Sequence, residues 1–327
     1  MLKTAIIILN WNGKELLEKF LPSVTQYSES ADIYVADNAS TDDSITFVKS
    51  RFPKIKIIKN TRNGGYAKGY NDALKHVNAD VFCLLNSDIE VTPNWLMPII
   101  SEFETNKDTS IIQPKILDYK NKSHFEYAGA GGGFIDKFGF AYCRGRIFDT
   151  LEKDNGQYDD TTPIFWASGA CFFVKKSTFQ SLNGFDESYF AHFEEIDLCW
   201  RAFNAGFKTT YVGASTVFHV GGATLNASNP KKTYLNFRNS LFTITKNTKG
   251  FILGIILTRL ILDGIAALKF LFSLKFAHFA AIIKAHLAFY THVPRLLKVR
   301  NQLPKKKNYY HTTSIVWSYF VKKRPNF

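Results

Sequence analysis

Four short strand-like runs, each cut off by polar residues, constrain the fold of this chain more than any other feature. Residues 4–9 (TAIIIL) end on Asn10, and residues 33–36 end on Asp37-Asn38. Residues 55–59 lead into Asn63-Gly64-Gly65-Tyr66, and residues 81–85 (VFCLL) stop at Asn86-Ser87-Asp88. Short apolar runs without polar alternation read as strands buried on both faces. Between them, Leu16, Leu17, Phe20 and Leu21 have helical spacing, and Ser40-Thr41-Asp42-Asp43 is a dense set of N-caps for a helix over 44–51. This alternation predicts an α/β chain with a sheet flanked by helices. In open α/β sheets ligands gather beyond the carboxyl ends of the strands, so the four polar ends converge on one rim. One polar strand end is an ordinary turn; four in sequence read as a site.

The turn after the first run is Asn10-Trp11-Asn12-Gly13, which lacks the glycine spacing of a dinucleotide fingerprint and the Gly- and Lys-rich phosphate loop a nucleotidyltransferase needs. The net charge of +13 is confined to one end of the chain. Residues 228–327 hold 18 Lys and Arg against the single acid Asp263, whereas the preceding 227 residues hold 23 basic and 27 acidic groups. A slightly acidic body with a basic tail does not fit a nucleic-acid groove, and no nucleic-acid partner is expected. Cys83, Cys143, Cys171 and Cys199 have no CxxC spacing and read as reduced, packed thiols. The apolar run at residues 5–9 is too short for a signal peptide, so a cytoplasmic N-terminus is expected.

A second constellation lies at residues 190–201 (FAHFEEIDLCWR), where Glu194, Glu195 and Asp197 crowd the first turn of a helix that ends at Gly206. Acids there suit the helix dipole, but acids on an aromatic approach are either paired or kept for proton transfer. A further strand over 208–212 is followed by Thr216 to Gly222, which includes His219. Residues 165–174 read as a strand, and residues 118–160, rich in Gly and Asp, as a long, partly mobile loop carrying acceptor binding or a lid.

The segments TAIIILNWNG, VADNASTDDS, NGGYAKGYNDAL, FCLLNSDIEV, SGACFFVKK with LNGFDESYFAHFEEIDLCWRAFNAGF, and FHVGG together resemble glycosyltransferase family 2, the inverting enzymes of GT-A fold, and within it the rhamnosyltransferase-like branch. The resemblance covers about residues 4–245. It implies a nucleotide-diphospho-sugar donor, dTDP- or UDP-linked, and a glycan or lipid-linked acceptor. Asp37, Asn10, Asn63, Gly64, Gly65, Asn71 and Asn86 would line the nucleotide. Asp88 would bind Mg²⁺ or Mn²⁺ on the diphosphate, with His219 completing the metal site. Glu195 falls at the general base, with Glu194 the alternative and Asp197 flanking it. Trp166, Ser168 and Gly169 would shape the sugar and acceptor pocket, and Arg238 would reach a phosphate. Displacement at an anomeric carbon fits these residue types: a base takes the acceptor proton on one side and a cation offsets charge on the departing diphosphate. Two positions depart from the family pattern, Asn86 in place of an Asp and Glu195 in place of an Asp. The neutral Asn86 keeps open the alternative of a catalytically idle scaffold of the same fold.

The chain divides on this reading into a catalytic domain, 1–245, and a helical basic region, 246–327. Over 251–290 no uncharged run is long enough to span a bilayer. Arg259, Asp263, Lys269 and Lys284 fall within about 120° on a helical wheel. A helix, or a pair broken near Ser273, lying in the interface of the inner membrane face is expected, with a lid on the catalytic domain or a dimer interface as the alternative.

Overall fold

The computed structural model describes residues 2–221 and 228–327. The first half builds strand–helix units in the order the apolar runs predict: β1 (Thr4–Asn10), α1 (Lys14–Tyr27), β2 (Asp32–Asp37), α2 (Ser44–Arg51), β3 (Lys56–Lys59), α3 (Gly65–Leu74) and β4 (Val81–Asn86). β1 pairs in parallel with both β2 and β4, and β2 with β3. The register sets Asn10 beside Asp37 and Leu9 beside Asn86, so these strand ends share one edge. Ile6, Ile8, Cys83 and Leu85 bury one face against α1 and α4 (Leu96–Thr105), while Ala5, Ile7, Phe82 and Leu84 bury the other. Both faces are apolar because both are covered by helices.

Beyond β4 the sheet becomes mixed. β5 (Ile89–Val91) and β6 (Thr109–Asp118) come before a small antiparallel sheet of β7 (Gly133–Ile135), β8 (Ala141–Cys143), β9 (Arg146–Ile147) and β10 (Thr150–Leu151). Then come β11 (Thr161–Ile164), β12 (Cys171–Lys175), α5 (Lys176–Ser181), α6 (Glu194–Ala205) and β13 (Lys208–His219). The main sheet runs β11-β13-β6-β12-β4-β1-β2-β3, with β5 added on β13. Residues 118–160, expected to be a partly mobile loop, instead hold a small sheet whose middle, 125–147, is mostly buried: strands of two or three residues are too short to leave a periodic trace. Residues 165–170 are likewise not strand but the turn that enters β12.

The rest is helical: α7 (Pro230–Asn247), α8 (Leu253–Phe272) and α9 (Phe276–Gln302). α8 and α9 are separated at Ser273, as the sequence suggests, with Leu274 in the left-handed region (φ 57°). The final residues return to the small sheet, where Ile315 N donates to Asp136 (2.9 Å) and the Tyr309 hydroxyl donates to the Lys137 carbonyl (2.7 Å). Among the described residues no helix is long and apolar enough to cross a membrane.

Candidate active site

Three groups of side chains line the rim where β1, β2 and β4 end. The first is a polar cradle. Asn10, fully buried, donates Nδ2 to Ser40 Oγ (3.1 Å), and Ser40 N in turn donates to both Asp37 oxygens (3.4 and 3.3 Å). Asn38 donates to Asn63 Oδ1 (3.0 Å) and to the Gly65 carbonyl (3.2 Å), tying the β2 and β3 ends together. Asn10 Oδ1 is buried without a partner, and a Cβ at Gly13 would lie 2.6 Å from it, so glycine keeps the approach to this acceptor open. Ser40 and Asn38 organise this cradle and were not singled out from sequence, since short polar residues at strand ends are read first as turn formers.

The second group is Asp88, His219 and Glu126. β5 pairs with β13 so that Ile89 faces His219, which brings His219 Nε2 to 3.2 Å from Asp88 Oδ1. Nδ1 on the other side of the ring lies 3.3 Å from Glu126 Oε1, within ion-pair range but without hydrogen-bond alignment. All three are buried. Burial alone would lower the His219 pKa, but the Glu126 and Asp88 charges reverse this and raise it to about 10. Burial would raise Asp88, yet its bond with His219 holds the carboxyl below its usual value. Asp88, in the turn between β4 and β5, and His219, at the end of β13, are a donor set that suits a divalent cation keeping water and phosphate in its shell once the cation displaces the imidazole proton. Glu126 lies within the poorly patterned residues and carries no local sequence signal.

The third group is at the start of α6. Glu194 is buried and Glu195 partly open, and each keeps one buried oxygen without a partner. Burial raises the Glu195 pKa to about 7 despite backbone N–H groups, that of Gly169 among them, which favour the charged form. Burial together with the Glu195 charge pushes Glu194 well above the carboxylate range. Gly169 abuts the Glu195 carboxylate, and its carbonyl accepts from the Tyr66 hydroxyl (2.8 Å). The backbone leading in is strained: Phe190, His192 and Phe193 have φ of 62°, 68° and 72°. It is held by Tyr66 N, which donates to the Phe190 carbonyl (2.7 Å), and by Asn239, whose Nδ2 lies 3.1, 2.9 and 2.7 Å from the carbonyls of Tyr189, Ala191 and His192. Burial, then Lys232, lowers the His192 pKa to about 4, so its imidazole is neutral.

Asn86 joins the second and third groups. Its backbone N donates to the Ala170 carbonyl (3.0 Å), which sets the Ser168-Gly169 turn beside the β4 end. Ser168 is buried and spent on that turn: its N donates to Gln113 Oε1 (2.7 Å) and its Oγ accepts from Ala170 N (3.2 Å). Gly64 caps α3, and Gly65 (φ 79°) must be glycine because a Cβ would lie 2.3 Å from the Phe190 carbonyl oxygen.

Four expected site residues are turned to other uses. Asp197 is fully buried and bound by Arg201 Nε (2.8 Å), Lys246 Nζ (2.9 Å) and Asn247 Nδ2 (2.8 Å), which leaves no oxygen for a substrate. Asn71 clasps both the N and the carbonyl of Phe185 (3.0 and 2.9 Å) instead of a nucleotide. Trp166 packs on Gly133 and donates Nε1 to the Phe134 carbonyl (2.8 Å), a core position. Arg238 donates to the carbonyls of Ser188 and Tyr189 (3.1 and 3.2 Å) and to Asn239 Oδ1 (2.8 Å), so it braces the strained loop.

Residues 5–180 match the profile described as Glycosyl transferase family 2. An N-acetylglucosaminyl-diphospho-decaprenol L-rhamnosyltransferase of Mycobacterium tuberculosis is 24% identical over 233 residues, which cover 65% of this chain and 75% of the relative. Among solved structures, S. aureus TarS 1-349 in complex with UDP-GlcNAc aligns over 92% of both chains at 13% identity with a TM-score of 0.57. The mannosyltransferase PcManGT from Pyrobaculum calidifontis, in complex with GDP-Man and Mn²⁺, aligns over 88% of this chain and 87% of its own at 12% identity with a TM-score of 0.55.

Proposed function

Because the chain belongs to glycosyl transferase family 2 and has the GT-A fold, we propose that it moves one sugar, rhamnose in the first reading, from a nucleotide diphosphate to a lipid-linked glycan by a single inverting displacement. The observation that carries this is the pairing of a partly open carboxylate poised near neutrality with a carboxylate–imidazole pair, the two joined through Asn86 and the 168–170 turn. Glu195 takes the proton from the acceptor hydroxyl. Its side chain is partly open, and a pKa of about 7 matches a base working at neutral pH. Glu194, more buried and pushed higher, stays protonated. Asn10, Asp37 and the Asn63–Gly65 turn receive the nucleoside. Asp88 and His219 would hold Mg²⁺ or Mn²⁺, which would supply positive charge where negative charge grows on the departing diphosphate.

The lipid-diphosphate acceptor and the rhamnose donor are supported by the name of the mycobacterial relative. A UDP-hexose donor is the second reading, favoured by the UDP-GlcNAc complex of TarS. The place of work is the inner face of the cell membrane, where such an acceptor is reached without a spanning helix. The test is release of nucleoside diphosphate by purified protein supplied with membranes, Mg²⁺ or Mn²⁺ and a panel of sugar nucleotides. Metal-dependent release with one donor, lost in Asp88→Ala and in Glu195→Gln, is expected. Undiminished transfer in either variant overturns the site assignment, and failure to bind any sugar nucleotide favours an idle scaffold.

A further inference from the structure

The helical pair α8–α9 carries its polarity inside out. On α8 two of the three charged residues face the protein: Arg259 and Asp263 are 3% and 0% exposed and form an ion pair at 2.8 Å, while Lys269 near its end is exposed. Arg259 also donates to the Phe138 carbonyl (3.1 Å) and to Ser240 Oγ (2.7 Å), and His286 of α9 lies 3.4 Å from the second Asp263 oxygen. The opposite face is Leu253, Leu257, Ile261, Ile265, Leu268 and Phe272, each between 48% and 82% exposed. The spacing of four, four, four, three and four residues makes this one continuous stripe along the helix. α9 extends the apolar surface with Phe276, Ile283 and Leu287, exposed by 58%, 43% and 59%. Single exposed leucines are ordinary; a contiguous stripe running the length of a 20-residue helix marks an interaction surface.

Charge identifies what covers it. From residue 264 to the C-terminus there are 12 Lys and Arg and no Asp or Glu. Lys269, Lys275 and Lys284 are exposed alongside the apolar residues. A second copy of the chain would bring the same positive field against itself, whereas an anionic bilayer offers hydrocarbon to the stripe and negative headgroups to the lysines. No described helix can span, so the surface lies in the plane of the membrane.

The same pair reaches the strained loop ahead of Glu194. His278, one turn into α9, lies 2.8 Å from Thr233 on the first turns of α7, and neighbouring Lys231 stands 4.9 Å from the centre of the Phe190 ring. The exposed turn at Phe272, Leu274 and Phe276 is therefore near the N-terminal end of α7, whose Lys231 stands over Phe190 of this loop. We propose that the outer face of α8–α9 docks in-plane on an anionic bilayer and holds the acceptor side of the site against it. The acceptor part rests on the transfer reaction proposed above; the docking part does not.

The experiment is co-sedimentation of the full chain with vesicles of phosphatidylcholine alone or mixed with phosphatidylglycerol, with no donor or acceptor present, alongside light scattering without lipid. Wild type is expected to bind the anionic vesicles at least about tenfold more tightly than the neutral ones and to be released by salt. Leu257→Glu with Ile261→Glu is expected to weaken binding at least about tenfold while melting temperature and sugar-nucleotide binding stay unchanged. Because both side chains are already in solvent, the variant leaves the packed face untouched. Equal binding by variant and wild type, no preference for anionic vesicles, or a dimer in scattering that the variant dissociates would each overturn the docking proposal. Since vesicle binding is read without turnover, its failure leaves the transfer reaction standing, and a failure of transfer leaves the docking standing.

Discussion

Asn239 is the side chain on which the strained loop depends, and replacing it by alanine separates positioning from packing. Its amide faces three carbonyls at 3.1, 2.9 and 2.7 Å, and its oxygen is taken by Arg238. Removing it leaves those carbonyls short of a donor in a fully buried place, at about 1 kcal/mol of net stability for each bond lost and somewhat more for the unmet groups. Against that, left-handed φ at three non-glycine residues stores about 1–3 kcal/mol each, and part of it is released when the clamp goes. The stability loss should therefore be only about 1–3 kcal/mol, less than the lost bonds alone suggest. Activity should suffer more, because the loop is the entry to the helix that carries Glu195. A shift of about 1 Å at a reacting group costs on the order of a hundredfold in rate. The assay pairs a denaturant melt with turnover measured as nucleoside diphosphate release. The expected pattern is a hundredfold drop in kcat, a small loss of stability and a donor KM changed by no more than about threefold, because the cradle meets the loop only where Gly65 and Tyr66 pack on the Phe190 carbonyl. If kcat stays within about threefold while stability falls, the loop's geometry is not what places Glu195 and the reasoning fails.

Glu195→Gln should abolish transfer by a factor of about 10²–10⁴, and in wild type the rate should fall as pH drops through about 7, where the carboxylate gains its proton. For stability the sign is opposite. The folded pKa lies above the unfolded value of about 4.3, so the favourable contribution is complete below that pH and lost as pH rises through about 7. The glutamine variant should melt above wild type at pH 8 and level with it near pH 4; a lower melt at pH 8 would mean that Glu195 is satisfied after all. Glu126→Gln should weaken Mn²⁺ binding about 10–100-fold in a titration followed by electron paramagnetic resonance, with no sugar nucleotide present; unchanged affinity would leave Glu126 a purely structural partner of His219. Gly65→Ala should cost about 2–4 kcal/mol, because it forces a Cβ to 2.3 Å from the Phe190 carbonyl at a left-handed φ, and a neutral outcome in a urea melt would refute that placement.

How much of this was legible in the sequence follows from the reach of each interaction. The strand ends at Asn10, Asp37 and Asn86 could be read because a polar residue interrupting an apolar run is a local event. The break near Ser273 and the shared face of Arg259 and Asp263 could be read from a helical wheel for the same reason. The wheel could not say which face meets the protein: Phe138 and Ser240, which draw Arg259 inward, are distant in sequence. Asp197, Asn71 and Arg238 looked available because Lys246, Phe185 and the Tyr189 carbonyl that occupy them lie far along the chain. Glu126 was hidden in residues whose strands are too short to show a period.

Glu126 bears on the departure that left an idle scaffold conceivable. Two carboxylates are expected near the cation, one at each end of the short motif on β4, and Asn86 removes one of them. The buried stretch over 125–147 brings another within 3.3 Å of the far side of His219. Coulomb attraction depends on distance and dielectric, not on which strand supplies the charge, and this carboxylate is buried where water screens it little. It lies on the Nδ1 side of the imidazole, opposite Asp88 at Nε2, the side on which histidine ligands of metal sites usually have an outer partner. The neutral side chain at Asn86 has a gain of its own. It stands partly open beside the 168–170 turn, between the cation end of the site and Glu195, where a second carboxylate would raise the pKa of the base further. On the proposed reading, a carboxylate behind the histidine in place of one at Asn86 would keep the attraction for a cation and spare the base.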